Sequence, residues 1–162
     1  MYKVAIITAS DKGYAGERED KSGSVIEEIV TAHELEVTGK VILPDDRQML
    51  SDQMLNYCHQ GIDLILTTGG TGFSKRDVTP EATADIVERR ADNLTFAMIA
   101  NSLQYTPKAM LSRGIAGIRE NTLIVNLPGS PKAVRENLEY AIDAIIHGVK
   151  ILKSDDAECA RK

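Results

Sequence analysis

Ile62-Asp63-Leu64-Ile65-Leu66-Thr67-Thr68-Gly69-Gly70-Thr71-Gly72-Phe73-Ser74-Lys75-Arg76-Asp77-Val78-Thr79-Pro80-Glu81-Ala82 is the stretch that decides how this 162-residue chain folds. Residues 62–66 form a short apolar run with the length and branching of a buried strand. Thr79-Pro80-Glu81 reads as a helix start, with Thr79 as the N-cap and Pro80 at the first helical position, where its missing N–H costs nothing. Between them, three glycines in four residues allow a sharp turn whose successive N–H groups point inward, a geometry that holds anions. Asp77 follows at a place suited to carrying a metal or orienting a phosphate. The run matches neither G-x-G-x-x-G nor the phosphate loop ending in Gly-Lys-Ser/Thr. Taken alone, it is also compatible with a plain strand-to-helix turn.

Outward from this segment the pattern alternates. Residues 2–9 read as a first strand, followed by a polar loop through Asp20. Residues 22–31 are helical, with Val25, Ile26, Ile29 and Val30 on one face. Residues 36–43 read as a strand ending at Pro44-Asp45-Asp46, and residues 47–59 as the next helix. After the glycine segment, residues 80–90 are expected to be helical, then residues 94–103, where Pro107 closes the pattern. Residues 114–119 and 122–127 are short strands around a turn at Glu120-Asn121. Pro128-Gly129-Ser130-Pro131 opens a final helix to about Leu152, striped by Val134, Leu138, Ile142, Ile145, Val149 and Leu152. Residues 1–153 are read as one domain and 154–162 as a charged, frayed tail.

Strands alternating with helices through short connections imply a three-layer α/β fold of Rossmann type, a mainly parallel sheet with helices on both faces. In such sheets the ligand crevice lies beyond the carboxyl ends of the strands. Ser10-Asp11, Asp45-Asp46, Gly69 to Asp77 and Gly129-Ser130 all fall on that edge. Each has an ordinary alternative: Asp45-Asp46 as a turn and helix cap, Ser130-Pro131 as N-cap and first helical residue, Lys75 and Arg76 as solvated charges. Two carboxylates from different loops, Asp45 and Asp77, have the makings of a Mg²⁺ site, since magnesium takes one or two carboxylates plus substrate phosphates.

Composition bounds the partners. Nineteen Lys and Arg against 24 Asp and Glu give a net charge of −5, with no basic block, which argues against nucleic acid. An acidic chain that binds anions needs glycine nests, a few local cations, or a divalent metal. No apolar run approaches membrane-spanning length and no signal peptide is visible, so a cytoplasmic protein with reduced thiols is expected. Cys58 sits in a helical pattern as a small buried hydrophobe, while Cys159 lies in the polar tail. His33, His59 and His147 are isolated, and no Ser-His-Asp spacing is evident.

Taken in order, these motifs resemble the molybdenum-cofactor biosynthesis family of MogA and MoaB, the molybdopterin adenylyltransferases. The resemblance runs from Val4 to about Leu152. It rests on Ser10-Asp11, Asp20-Lys21-Ser22-Gly23, Pro44-Asp45, the run from Thr68 to Ala82, Met110-Leu111-Ser112-Arg113, Gly117-Ile118-Arg119 and Leu127-Pro128-Gly129-Ser130-Pro131-Lys132. It implies a homotrimer that uses Mg-ATP to adenylylate molybdopterin, releases pyrophosphate, and hands the product to a molybdate-inserting protein. It implies essential, metal-holding carboxylates at Asp45 and Asp77, with Ser112 in the catalytic set. With the edge loops, the candidate nucleotide and pterin contacts are Ser10, Asp11, Thr68, Gly69, Gly70, Thr71, Gly72, Gly129, Ser130 and Pro131. The rival readings are a non-catalytic molybdopterin-binding protein of the same pathway, distinguished by ATP turnover, and a flavodoxin-like electron carrier, which would be coloured.

Overall fold

β1 (Lys3–Ala9) is apolar on both sides because both sides are covered: Val4 and Ile6 enter one core, Ala5, Ile7 and Ala9 the other. β3 (Leu64–Thr68) repeats this, with Leu64 and Leu66 on the first side and Ile65 on the second. β6 (Thr122–Leu127) does the same through Leu123, Val125 and Leu127 against Ile124. Continuous apolar runs of this kind are what a sheet buried on both faces requires.

A computed structural model describes residues 1–153 and joins these strands into a six-stranded sheet. The others are β2 (Glu36–Leu43), β4 (Arg89–Arg90) and β5 (Ala116–Arg119), in the order β2-β1-β3-β6-β5-β4. β2, β1, β3 and β6 run parallel, and β5 and β4 close one edge antiparallel. α2 (Lys21–Ala32), α5 (Asp92–Ser102) and α6 (Pro131–Leu152) cover the first face, and α3 (Arg47–His59) and α4 (Thr79–Ala84) the second. α1 (Asp11–Tyr14) is a single turn after β1. Fully buried side chains such as Ile6, Leu66, Leu138 and Ile142 each contribute about 1.5–3 kcal/mol relative to exposure. The order 2-1-3 places a topological switch between β1 and β3, so the loops leaving these strands diverge and open a crevice.

The periodicity locates β2, α3, β6 and α6, and Cys58 is buried in the second core as its pattern implies. β3 is shifted two residues later than the apolar run suggests, because Thr67 and Thr68 pair with Asn126 and Leu127. The helix expected over residues 80–90 is corrected: α4 ends at Ala84, and Arg89-Arg90 is a strand. Beyond Ala84 the free edge of β5 offers better partners than the helix does. Glu88 N–H donates to the Ile118 carbonyl (2.9 Å) and Ala91 N–H to the Ala116 carbonyl (2.9 Å), while Val87 packs over Gly117. The reading of residues 154–162 lies outside the described residues, as does Cys159. Among the described residues no helix is long and apolar enough to cross a membrane.

Gly69, the first residue beyond β3, has φ +86°, and a Cβ there would overlap the carbonyl oxygen of Ala9. Gly69→Ala therefore combines backbone strain with a backbone clash. It is expected to lose about 2–4 kcal/mol of unfolding free energy in a urea titration, and a loss below about 1 kcal/mol would show that the turn can relax.

Candidate active site

Four turns at the carboxyl edge surround a crevice of about 930 Å³. After β1, Ser10 caps α1 by accepting the Gly13 N–H (2.9 Å), which leaves Asp11 at the crevice wall. After β2, Asp46 caps α3 by accepting the Met49 N–H (2.9 Å), which leaves Asp45 free to face the crevice. The two turns are bolted together by exchange: Asp11 N–H donates to Asp45 Oδ2 (3.1 Å) and Asp45 N–H to Asp11 Oδ1 (3.0 Å). Arg76, from the glycine loop, grips Asp11 with both arms at 3.0 and 2.9 Å. Asp45 Oδ1 is buried and has no partner among the described residues, and it lies beside Gly70, where a Cβ would come within 3.1 Å of it.

The glycine loop holds its shape through its carbonyls. Gly69 and Gly70 have φ of +86° and +70°, a region that glycine alone enters freely. Thr79 N–H donates to the Gly70 carbonyl (3.1 Å), and the Thr79 hydroxyl to the Gly69 carbonyl (2.9 Å). Thr79 is thus the first residue of α4 and ties the loop, rather than capping the helix; Val78 holds the cap position with no side-chain bond, and Pro80 is second. Among the described residues the N–H groups of Gly70, Thr71, Gly72 and Phe73 find no acceptor, and the first three belong to crevice-lining residues, which leaves a run of donors for a ligand. Asp77 folds back over Gly72 and accepts the Ser74 N–H (3.0 Å) on Oδ2.

Arg113 secures this loop from outside. Its Nε donates to the Gly72 carbonyl (2.7 Å), Nη2 to the Asp77 carbonyl (2.8 Å), and Nη1 pairs with Glu81. Its backbone N–H donates to the Thr71 carbonyl (2.8 Å). One guanidinium therefore holds both ends of the segment that carries Asp77.

A second compartment of about 470 Å³ adjoins the first, and Gly70, Asp77, Gly129 and Ser130 line both. Thr71, Gly72 and Ser112 face the second, with Met98, Leu111, Asn126 and Asn137 among its walls. The Ser102 hydroxyl, buried in the same wall, has no partner among the described residues. Ser130 caps α6 by accepting the Ala133 N–H (3.2 Å), and Pro131, first in that helix, faces the larger compartment. The structure thus gathers Ser10, Asp11, Asp45, Gly69–Gly72, Asp77, Ser112 and Gly129–Pro131 around one two-part crevice. Thr68 stands apart. It is fully buried, lines neither compartment, and its hydroxyl donates to the Pro128 carbonyl (2.6 Å), so it ties the turn after β6 to β3. Sequence reasoning assigns no role to Lys12, Arg18 and Lys21 on the larger compartment, to Ser102, or to Arg113. Isolated cations and hydroxyls in loops carry no periodic signal, though Lys21 and Arg113 do fall inside the quoted motifs.

Burial raises the Asp45 carboxyl above the usual carboxylate range, and the nearby Asp11 and Asp77 charges add to this against the Asp11 N–H bond and Arg76. Asp11 goes the other way, lowered mainly by its bonds from Arg76. A buried carboxylate with one orphaned oxygen calls for a cation. Among the described residues no three His, Cys, Asp or Glu side chains are grouped to hold a metal alone. A pair of carboxylates at the rim of an anion site fits magnesium shared with phosphate oxygens.

A three-layer α/β protein whose crevice opens at the topological switch has the layout of a small-ligand binding domain. The family model described as probable molybdopterin binding domain matches residues 5–147. A molybdopterin adenylyltransferase of Helicobacter pylori is 38% identical over 152 residues, covering 92% of this chain and 86% of that protein. Gephyrin of Dictyostelium discoideum is 41% identical over 161 residues and 93% of this chain, but the chain spans only 22% of gephyrin. The crystal structure of the molybdopterin biosynthesis enzyme MoaB from Thermus thermophilus superposes with a TM-score of 0.90 at 42% identity, covering 95% of this chain and 98% of that one. The chain belongs to the MogA/MoaB family of molybdopterin adenylyltransferases.

Two outcomes follow from this geometry. Arg113→Ala removes two bonds from a charged donor to loop carbonyls and leaves Glu81 unpaired. It is expected to cost about 2–3 kcal/mol and to speed amide hydrogen exchange across residues 70–77; unchanged exchange there would show that the loop holds itself. Asp45→Asn removes the charge that burial disfavours. Because the folded-state pKa of Asp45 is raised, its ionisation costs stability above that pKa and nothing below the unfolded value. In metal-free buffer the Asn variant should melt higher than wild type at pH 7, and the gap should close as pH falls toward about 4.

Proposed function

We propose that this chain transfers the adenylyl group of ATP to the terminal phosphate of molybdopterin, with magnesium as the metal and pyrophosphate as the leaving group. The observation that carries the reading is the junction between the compartments. There the unbonded amides of Gly70, Thr71 and Gly72 and the orphaned Asp45 oxygen lie with Asp77, Gly129 and Ser130 along the adjoining walls of the two compartments. Two polyanions must be brought together, so positioning and electrostatics account for most of the acceleration.

Asp45 and Asp77 would hold the magnesium, whose chemistry is to neutralise phosphate oxygens as charge shifts toward the leaving group. The glycine-loop amides would bind non-bridging oxygens of the α-phosphoryl group, and the amides ahead of α6 a second phosphate. Ser112, in the smaller compartment, would orient the acceptor. Homotrimerisation, a cytoplasmic setting and hand-over to a molybdate-inserting protein belong to the same reading. Phe96, Leu103, Tyr105 and Met110, exposed on α5 and the segment after it, support a subunit contact.

A coupled pyrophosphate assay with purified protein, Mg-ATP and molybdopterin tests the proposal. Wild type should turn over, and Asp77→Asn and Asp45→Asn should each lose at least about 100-fold in kcat with the fold retained. Near-wild-type turnover in Asp77→Asn would remove that residue from the site. No pyrophosphate from wild type would leave a molybdopterin carrier.

A further inference from the structure

Three cations line the larger compartment. Lys12 ends α1, Arg18 lies in the loop that follows, and Lys21 opens α2. All three line the crevice, and none of their side chains makes a hydrogen bond or ion pair among the described residues. The carboxylates nearest them in sequence are engaged elsewhere. Asp11 is held by Arg76, and Asp20 accepts the Thr8 hydroxyl (2.9 Å) and the Gly23 N–H (2.8 Å). Glu17 and Glu19, on either side of Arg18, make no side-chain bond among the described residues, and Glu19 lines the crevice. Asp11, Glu19, Asp20, Asp45 and Asp77 line the same crevice, so its wall is not net basic; what sets it apart is three cations that lack an ion pair among the described residues and stand ready for an anionic ligand. The smaller compartment has a single lysine, Lys108, with Glu136 also in its wall.

We propose that Lys12, Arg18 and Lys21 form a seat for a polyphosphate, the β- and γ-phosphoryl groups that depart as pyrophosphate. The assignment rests on the adenylyl-transfer reading and gives it a direction. In phosphoryl-type transfer the attacking and leaving oxygens lie roughly in line across phosphorus. The α-phosphorus belongs at the junction, where Gly70, Asp77, Gly129 and Ser130 line both compartments. Acceptor and leaving group must then occupy different compartments. The leaving group carries the larger charge, so it takes the compartment with three free cations. An acceptor phosphate oxygen bonds to the α-phosphorus, and the bond from that phosphorus to the bridging oxygen breaks. The electron pair stays with pyrophosphate, and no proton need be transferred. The cations stabilise the charge that grows on the departing oxygen, a charge the ground state does not have.

Titration calorimetry with inorganic tripolyphosphate, in magnesium buffer, tests the seat without requiring turnover. Arg18→Ala/Lys21→Ala is the informative variant, since both residues are exposed and α2 keeps its Asp20 cap; matching melting temperatures verify the fold. Lys150→Ala, at the far end of α6, controls for net charge. Tripolyphosphate should bind wild type and Lys150→Ala alike and bind the double variant at least about tenfold more weakly, while AMP binding stays unchanged. Equal tripolyphosphate affinity in the double variant, or none in wild type, overturns the proposal. Should wild type bind tripolyphosphate and the double variant lose it while no adenylyl transfer occurs, the seat stands and the reaction reading falls.

Discussion

The close approach of three backbone turns at Gly69 is the constraint on which the rest of this structure depends. A Cβ on Gly69 would enter the Ala9 carbonyl, and one on Gly129 would come within 3.5 Å of the Gly69 Cα. The turns leaving β1, β3 and β6 therefore meet backbone to backbone, with no side chain between them. That contact is possible because the three strands are neighbours, parallel and in register to their last residues. Buried hydroxyls lock it: Thr68 to the Pro128 carbonyl, Ser22 to the Gly129 carbonyl, and Thr79 to the Gly69 carbonyl. Each bond uses a carbonyl and leaves amides free, so the edge acquires anion-binding character from the way its turns are fastened.

The site stores unfavourable electrostatics that the fold must overcome. Asp45 is pressed among other carboxylates with one oxygen unbonded, and its desolvation is offset only by the N–H of Asp11 and by Arg76. Arg113 provides the opposing stiffness by bonding both ends of the loop that carries Asp77. A metal and a phosphate arriving together would satisfy the orphaned oxygen and the idle amides at once. On the proposed reading, free amides, unpaired cations and a metal, rather than the net charge, would meet the phosphates. The net charge governs the far field, while the crevice is governed by groups within a few ångströms.

Much of this was legible in one dimension. The apolar runs of β1, β3 and β6 are continuous because both faces are covered, and the stripe of α6 faces a single core, so period and burial agree. The glycine turn, Asp45, Asp77 and Gly129-Ser130 could be placed on one edge because parallel strands put all their carboxyl ends together. What failed was local extrapolation. Residues 85–90 look helical but leave α4 to complete the edge of β5, a partner that lies about thirty residues away and that no local window contains. Thr68 looks like part of the glycine motif, yet the last residue of a buried strand has its side chain inside the sheet, away from the crevice.

By itself the sequence determined the layer architecture, the sharp turn after β3 and the set of candidate residues on the carboxyl edge, because these depend on residue type and spacing. Only the tertiary structure decided which of those groups remain unsatisfied. The orphaned oxygen of Asp45, the free amides of Gly70 to Phe73, and the three cations without an ion pair are defined by the partners they lack among the described residues. A missing partner is a property of three-dimensional neighbours. Arg76 could pair with any carboxylate on this edge as far as residue type goes, and packing alone assigns it to Asp11.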